Sequence, residues 1–137
     1  MPVFQIGKPQ SGPPGSDTLR INTTTGIVHA HLYVIRFQDA DTLQYVAYIP
    51  TLDISGYGEN LKDATTMLQF SLEQFFVSLT ALKPAQQKIE LSKLGWKQNT
   101  FRSKEYSRMQ VDVNGELKNF NVVTDSVEKI NAGFLTL

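Results

Sequence analysis

Apolar residues first recur along the chain in a pattern that is typical of β-strands. Residues 27–37 (IVHAHLYVIRF) are rich in β-branched and aromatic side chains, which favour the extended conformation. A polar turn separates them from residues 44–50 (QYVAYIP), a second strand that Pro50 ends because proline has no N–H for the ladder. These two segments predict an antiparallel hairpin. Residues 52–58 (LDISGYG) predict a shorter third strand, in which the glycines at positions 56 and 58 mark a bend or bulge.

The spacing of apolar residues then changes to three and four, which predicts a long helix from Leu61 to Leu82. Asn60 stands at the N-cap position, and Asp63 is favoured in the first turn by the helix dipole. We expect this helix to be the main support of the core. Its apolar face comprises Leu61, Ala64, Leu68, Leu72, Phe75, Leu79 and Leu82, widened by Met67, Phe70 and Phe76.

Further elements are predicted in the last third of the chain. Pro84 begins a shorter helix over residues 84–94, which Gly95 ends as a C-cap. The pair Asn114-Gly115 is the usual signal of a two-residue type I′ turn and predicts a C-terminal hairpin. Residues 125–130 (DSVEKI) predict a last helical turn. The hairpin register places these side chains on one face: Met109, Val111, Val113, Phe120 and Val122.

The first 26 residues differ in composition from the rest, since they hold four of the six prolines and four of the nine glycines. We interpret residues 1–26 as an arm of extended or polyproline-like backbone, and residues 27–137 as a single domain. An ordered arm needs a surface to lie on, and the edge strands of a short sheet need covering. We therefore predict a homodimer, in which Phe4 and Ile6 anchor the arm on the chain's own body or on the second subunit.

These elements together predict an α+β fold. Their order along the chain is β-β-β-α-α-β-β, and the short turns between successive strands make the pairing antiparallel. We expect a small antiparallel sheet that packs on one long amphipathic helix.

Composition narrows the class of protein. A chain of 137 residues with 41% hydrophobic residues has the size and content of one globular domain. It contains no cysteine, which excludes disulfides, thiolate nucleophiles and cysteine metal sites, and fits a reducing compartment. We find neither a secretory signal nor an apolar run long enough to span a membrane. We therefore predict a soluble, cytoplasmic protein, and nothing in the residues predicts a cofactor.

Charge is balanced overall and uneven along the chain. Thirteen basic residues offset thirteen acidic ones, so the net charge does not indicate a partner. Residues 37–63 hold five acids and one base, whereas residues 83–108 hold seven bases and two acids. We expect the molecule to be electrically polarised, which steers encounters with charged partners.

Residues 45–72 (YVAYIPTLDISGYGENLKDATTMLQFSL) carry a family resemblance. They show an aromatic strand that ends in proline, a short third strand, then glycine, an acidic residue, a helix cap and a long helix. This order resembles the HicB-type antitoxin domain. Its signposts here are Tyr48, Pro50, Gly58, Glu59, Asn60 and Ala64. The preceding strand and a later strand around residues 111–113 fit the family's order of three strands, helix and strand.

The resemblance implies a reduced ribonuclease H fold without catalytic carboxylates that binds a small, basic toxin ribonuclease. The Pro-Gly-Cys-like step of the family is replaced here by Asp53, Ile54 and Ser55, and no DNA-binding unit follows Asn114. We therefore expect a non-catalytic protein-interaction module, either an antitoxin or an orphan relative. Its acidic stretch is the candidate partner-binding site, comprising Asp39, Asp41, Asp53 and Glu59.

Two kinds of catalytic or metal site are weaker alternatives. His29 and His31 lie on one face of a strand, about 7 Å apart, which is metal-ligand spacing. They are the only two histidines, and no acid shares their strand, so we favour a solvated or interfacial face. The acidic stretch also invites comparison with a Mg²⁺-dependent nuclease. Asp39 and Asp41 are better explained as turn residues, and Glu59 as an anion beside a helix N-terminus.

The alternative from another class is a nucleic-acid-binding protein. The basic segment, residues 83–108, interleaves cations with aromatic residues. Cations bind the phosphates of single-stranded nucleic acid, and aromatic rings stack on its bases. The simpler interpretation is that the lysines form the wet face of a short helix while Trp96 and Phe101 pack inward. The candidate residues of this alternative are Lys88, Lys93, Lys97 and Arg102.

Overall fold

A computed structural model describes residues 2–6, 15–118 and 120–136 and confirms the α+β class. One long helix packs on an antiparallel sheet, as predicted. Within the described residues the helices are α1 (Leu61–Thr80), α2 (Pro84–Lys93) and α3 (Val113–Leu117). The strands are β1 (Pro2–Ile6), β2 (Ser16–Ile21), β3 (Val28–Gln38), β4 (Tyr45–Ile49), β5 (Ile54–Gly58), β6 (Lys97–Gln98), β7 (Glu105–Met109) and β8 (Glu128–Thr136).

The sheet is organised around the long strand β3. Its strand order is β1-β8-β3-β2-β7-β6, and β4 and β5 branch from β3. One edge of β3 pairs with β8 over residues 28–36. The other edge pairs first with β2, over residues 28–31, and then with β4, over residues 35–38. The sheet therefore forks along this edge of β3, between residues 31 and 35.

The strands β3, β4 and β5 form the predicted meander, and β4 ends just before Pro50. The glycines of β5 do not mark a bend or bulge, because β5 pairs with β4 without interruption. They let α1 approach instead. A Cβ on Gly56 would lie 2.5 Å from the Ala64 carbonyl oxygen, and one on Gly58 would lie 2.6 Å from the Ala64 nitrogen.

Helix α1 begins and packs largely as predicted. The Asn60 side chain accepts a hydrogen bond from the Asp63 N–H at 2.8 Å. The core side of the helix consists of Ala64, Leu68, Leu72, Phe76 and Leu79, all buried. Met67 and Phe70 were expected to widen this side, and that prediction is wrong, since they are 49% and 59% exposed. Each residue turns the helix by about 100°, which places both on the side away from the sheet.

The prediction for the second helix is confirmed. Helix α2 begins at Pro84, a position where the missing N–H costs nothing. It closes at Leu94, and Gly95 follows with φ of 90°, a left-handed conformation that glycine adopts without strain.

The prediction that residues 1–26 lie outside the sheet is wrong for the described part of that segment. Strand β2 lies between β3 and β7, and its Leu19 and Ile21 are buried in the core. Strand β1 pairs with β8 of the same chain, with Phe4 opposite Phe134. Strands β1 and β2 flank the densest cluster of proline and glycine, so the average composition of the segment concealed them. Residues 7–14 of the predicted arm lie outside the described residues.

The predicted C-terminal hairpin does not form. Asn114 and Gly115 lie within α3, where the Asp112 side chain accepts a hydrogen bond from the Gly115 N–H at 3.3 Å. The residues before them pair elsewhere, because β7 lies between β2 and β6, and Val111 lies in no strand. The predicted last helical turn at residues 125–130 is also wrong, since a turn there leads into β8.

Hydrophobic residues pack on both faces of the sheet. Even-numbered residues of β3 face α1, where Leu32 and Val34 join the larger cluster. Odd-numbered residues of its second half, Ile35 and Phe37, form a smaller cluster on the other face. The segment after β7 covers that cluster, and Phe120 contacts the Phe37 ring at a centroid distance of 5.4 Å. In the first half of β3 this second face carries His29, which is exposed, and His31 and Tyr33, which are half-buried.

No helix among the described residues is long and apolar enough to cross a membrane.

Candidate functional site

The structure places acidic and basic residues at opposite ends of α1. The helix has 20 residues and is therefore about 30 Å long. The start of α1 follows Gly58, the last residue of β5. Gly58 pairs with Tyr45, the first residue of β4, so the start of α1 lies at the same end of the sheet as the β3–β4 turn. Its other end leads into α2 and the basic segment. The charge polarity along the sequence is therefore partly a polarity in space, with Asp53 as the exception among the acids.

We call the end formed by the β3–β4 turn and residue 59 the acidic end. Asp39 accepts hydrogen bonds from the Thr42 hydroxyl at 2.7 Å and from the Thr42 N–H at 2.9 Å. These bonds hold the pKa of the Asp39 carboxyl below its ordinary value. Asp41 accepts a hydrogen bond from the Asn121 amide at 2.9 Å. Asp39 is therefore the turn residue that the sequence predicted, and both carboxylates are held in fixed positions.

The four predicted acidic residues do not form one cluster. Glu59 is exposed and lies at the acidic end with Asp39 and Asp41. Asp53 lies at the opposite end of β4, in a left-handed conformation with φ of 54°. Strand β4 separates the two positions by roughly 17 Å, given about 3.4 Å per residue.

Asp53 belongs to a hydrogen-bonded cluster around a tyrosine. The Tyr48 hydroxyl lies 2.8 Å from a Glu116 oxygen and 3.2 Å from an Asp53 oxygen. Burial of Tyr48, followed by the hydrogen bond and charge of Glu116, raises the pKa of the tyrosine well above its ordinary value. The hydroxyl therefore stays protonated and donates its hydrogen bond toward the carboxylates of Glu116 and Asp53. Asp53 thus helps to close the β4–β5 turn.

We call the end formed by α2 and the residues that follow it the basic end. It contains an open groove of about 550 Å³ beside the C-terminal part of α2. Two of the four predicted cationic residues, Lys88 and Lys97, line it. Trp96 also lines the groove and is 2% exposed, and its indole N–H donates to the Thr51 carbonyl at 2.9 Å. The remaining lining residues are polar and uncharged: Ser92, Gln98, Asn99, Thr100 and Ser103.

The other two predicted cations form surface ion pairs. The Lys93 ammonium lies 3.1 Å from a Glu90 oxygen, and the Arg102 guanidinium lies 3.5 Å from a Glu105 oxygen. Exposed pairs of this kind contribute little to stability. Lys93 and Arg102 therefore carry less uncompensated charge than Lys88 and Lys97, and neither lines the groove.

The two aromatic residues of the basic segment behave differently. Trp96 packs inward, as predicted. Phe101 was also expected to pack inward, and that prediction is wrong, because its side chain is 94% exposed. The Asn99 side chain accepts hydrogen bonds from the N–H groups of Phe101 and Arg102, which fixes a tight turn with the ring at its tip.

The histidines lie on the face of the sheet that is opposite to α1. His29 is exposed and stands opposite Arg20, whereas His31 is half-buried and stands opposite Thr18. The described residues contain no group of three or more histidine, aspartate or glutamate side chains placed to hold a metal ion. The cross-strand partners of His29 are thus Arg20 on β2 and Leu135 on β8, neither of which is a metal ligand of the usual kind.

Sequence reasoning missed Asp17, a fully buried carboxylate at the fork of the sheet. Its oxygens accept hydrogen bonds from the Thr51 hydroxyl at 2.6 Å, the Gln110 amide at 2.9 Å and the Tyr33 N–H at 3.0 Å. The Tyr33 N–H lies in the stretch of β3 that neither β2 nor β4 pairs with. Burial raises the pKa of Asp17 above its ordinary value, although the hydrogen bonds oppose this shift.

A signal for Asp17 exists in the sequence. Asp17, Leu19 and Ile21 alternate along the strand, and the two apolar members are buried. Period-two alternation therefore places the aspartate on the core side.

Comparisons with family models, with curated proteins and with solved structures find no match to this chain. The fold itself is of the α+β class.

Proposed function

We propose that this chain is a non-catalytic protein-interaction module of the HicB-like kind, whose acidic end binds a small basic protein. The observation that carries the proposal is the grouping of Asp39, Asp41 and Glu59 at one end of the molecule. The succession of β3, β4, β5 and α1 supports it, because three antiparallel strands followed by a packed helix are what the resemblance implies.

The acidic end has the physical properties that a basic partner requires. Its carboxylates lie in turns, where a partner reaches them without disturbing the sheet. Hydrogen bonds already hold Asp39 and Asp41, so little side-chain entropy is lost when a cation binds there. Like charges grouped at one end also accelerate encounter with an oppositely charged protein.

We include the absence of catalysis in the proposal. The carboxylates of Asp39 and Asp41 lie in a turn, where they accept hydrogen bonds from Thr42 and Asn121. The buried Asp17 accepts three hydrogen bonds in the core. A carboxylate that acts as a general base must lie within reach of a substrate, which the burial of Asp17 prevents. We also propose that the protein acts in the cytoplasm, where a cysteine-free domain needs no oxidising environment.

Titration with a defined partner tests this function. The probe is the purified product of the neighbouring reading frame, which we expect to be a small basic protein with a lone catalytic histidine. The double variant Asp39→Asn/Asp41→Asn keeps the side-chain acceptors and removes both charges, so the dissociation constant should rise about tenfold. Asp53→Asn is the matched control, because asparagine tolerates the left-handed conformation and the charge removed lies at the far end of β4. Equal weakening by both variants, or no binding by the parent chain, would contradict the proposal.

A second candidate function is favoured by the basic groove. Lys88 and Lys97 line one concave surface, and the Phe101 ring stands fully in solvent. Cations that follow a phosphate backbone and a ring that stacks on a base are the two components of single-strand binding. We infer that nucleic-acid binding is the runner-up function, with weak and salt-sensitive affinity.

Fluorescence anisotropy with labelled single-stranded DNA and RNA tests the runner-up. The variant Lys88→Gln/Lys93→Gln/Lys97→Gln should weaken binding to every sequence alike and flatten the dependence on salt, since fewer counterions are released. Lys93→Gln alone is the control, because Lys93 is paired with Glu90 and does not line the groove. Micromolar binding at physiological salt that the triple variant loses would place nucleic acid ahead of the protein partner.

A further inference from the structure

The outer side of α1 carries apolar residues that the fold leaves in solvent. Met67, Phe70 and Val77 are 49%, 59% and 55% exposed. With Gln74 and Ala81, which are also exposed, they form a stripe with spacings of three, four, three and four residues. This is the spacing of a seam between two packed helices. We call these five positions the outer stripe.

The outer side of α1 also lacks charge. Between residues 64 and 80 the helix has one charged residue, Glu73, which is half-buried. The exposed neighbours of the outer stripe include Thr66 and Ser78, both small and uncharged. A helix face that only meets water normally carries charged residues. The outer stripe therefore has the composition of a surface that a partner covers.

We propose that a second copy of this chain covers the outer stripe, with the two α1 helices antiparallel around a two-fold axis near position 72. Four of the five stripe positions are symmetric about position 72: Met67 and Val77 lie five residues from it, and Phe70 and Gln74 lie two residues from it. A two-fold axis there places Met67 against the partner subunit's Val77, and Phe70 against the partner subunit's Gln74. An isologous interface requires this kind of self-complementarity.

Charges at the ends of α1 fit the same arrangement. Asp63 lies in the first turn of the helix, and Lys83 lies just beyond its C-terminal end, both exposed. Antiparallel packing brings Asp63 near the partner subunit's Lys83, and it also opposes the two helix dipoles. Parallel packing would bring like charges together. Both charge and symmetry therefore select a second copy in one orientation.

The contact between two helices is smaller than a standard protein interface. We therefore expect dissociation constants in the micromolar range and a monomer–dimer equilibrium that concentration shifts. This proposal does not depend on the function of the acidic end, which lies at the start of α1 and on the adjoining turn.

Sedimentation equilibrium tests the interface by mass. The parent chain should approach twice 15.4 kDa as its concentration rises. Phe70→Glu places two carboxylates at the centre of the interface and should raise the dimer dissociation constant at least about 30-fold. Phe101→Glu is the matched control, since it makes the same change at a 94% exposed ring elsewhere and should leave the dimer intact. Circular dichroism checks that both variants are folded.

Two outcomes of that measurement would overturn the proposal. One is a parent chain that stays at 15.4 kDa up to about 1 mM, which would leave the outer stripe to a different protein. The other is a folded Phe70→Glu variant that dimerises as well as the parent chain.

Cross-linking tests the orientation, because the chain has no cysteine of its own. A Met67→Cys chain mixed with a Val77→Cys chain should form a mixed disulfide. Met67→Cys alone should not, since its two copies would lie about 15 Å apart along the helix axis. Cross-linking of Met67→Cys with itself, or no cross-link in the mixture, would contradict the antiparallel arrangement.

Discussion

Replacement of Asp17 tests how the forked sheet is held together. In Asp17→Ala, three donors lose the carboxylate: the Tyr33 N–H, the Thr51 hydroxyl and the Gln110 amide, of which the amide keeps Asn131 as a second acceptor. Thr51 is 2% exposed, so water does not readily replace the carboxylate there. An unsatisfied buried donor costs about 1–3 kcal/mol, and Gln110 is partly exposed, so we expect a loss of about 3–5 kcal/mol. That is a large part of the roughly 5–15 kcal/mol that stabilises a small domain.

Asp17→Asn separates the hydrogen bonds from the charge. Its amide oxygen continues to accept from Tyr33 and Gln110, and its NH₂ group faces the Thr51 oxygen, which is able to accept. We therefore expect a loss of no more than about 1 kcal/mol. Urea denaturation gives both values when it is followed by the fluorescence of Trp96, the one tryptophan, which is buried.

The dependence on pH gives a sign as well as a magnitude. Burial raises the pKa of Asp17 above its ordinary value of 3.8, so the folded chain binds this proton more tightly than the unfolded chain does. The contribution of Asp17 to stability is therefore full below pH 3.8 and declines as the pH rises through the folded pKa. Relative to Asp17→Asn, the parent chain should lose stability over this range. A parent chain that gains stability there, or an Asp17→Ala variant as stable as the parent, would refute the reasoning.

Three further substitutions test the fold and the histidine face. Leu72→Asp puts an unpaired carboxylate into the core and should lower the free energy of unfolding by several kcal/mol, so circular dichroism should show an unfolded chain. An unchanged thermal melt would mean that this face of α1 does not pack in the core. Gly56→Ala places a methyl group 2.5 Å from the Ala64 oxygen and should cost about 1–3 kcal/mol in urea denaturation, whereas an unaffected variant would contradict the close packing of α1 on β5. Zn²⁺ should not raise the melting temperature of the parent chain; a rise that His29→Gln/His31→Gln abolishes would establish a metal site.

The parts of the fold that sequence predicts well are those where local signals and packing agree. Pro50 ends β4, Asn60 caps α1, and Pro84 begins α2, since each of these residues acts on its own backbone. The apolar periodicity of α1 identifies its buried side because the helix packs on one layer only.

The errors arise where distant pairing overrides a local signal. Asn114-Gly115 favours a hairpin turn, yet the strand before it pairs with β2, about 90 residues earlier, and the pair becomes part of α3. Strand β2 was hidden by the composition around it, and its partners lie later in the chain. A pattern of single residues does not contain these long-range pairings.

In the candidate sites too, sequence predicts the features that depend on neighbouring residues and misses those that depend on long-range packing. Asp39 was identified as a turn residue, because its side chain accepts hydrogen bonds from Thr42 within the same turn. The grouping of Lys88 with Lys97, and the separation of Asp53 from Asp39, depend on how the sheet and α2 are arranged in space. Phe101 differs from Trp96 because its turn points outward, which composition does not reveal.

Calorimetric titration of the chain with the purified product of the neighbouring reading frame, at about 50 mM and about 300 mM salt, tests the proposed role of the acidic end most directly. Exposed charges attract one another less at the higher salt, because the screening length is shorter. We predict one-to-one binding that weakens with salt, and an Asp39→Asn/Asp41→Asn variant that binds less tightly and responds less to salt. Binding that is indifferent to both salt and the double substitution, or no binding at all, would contradict the proposed function.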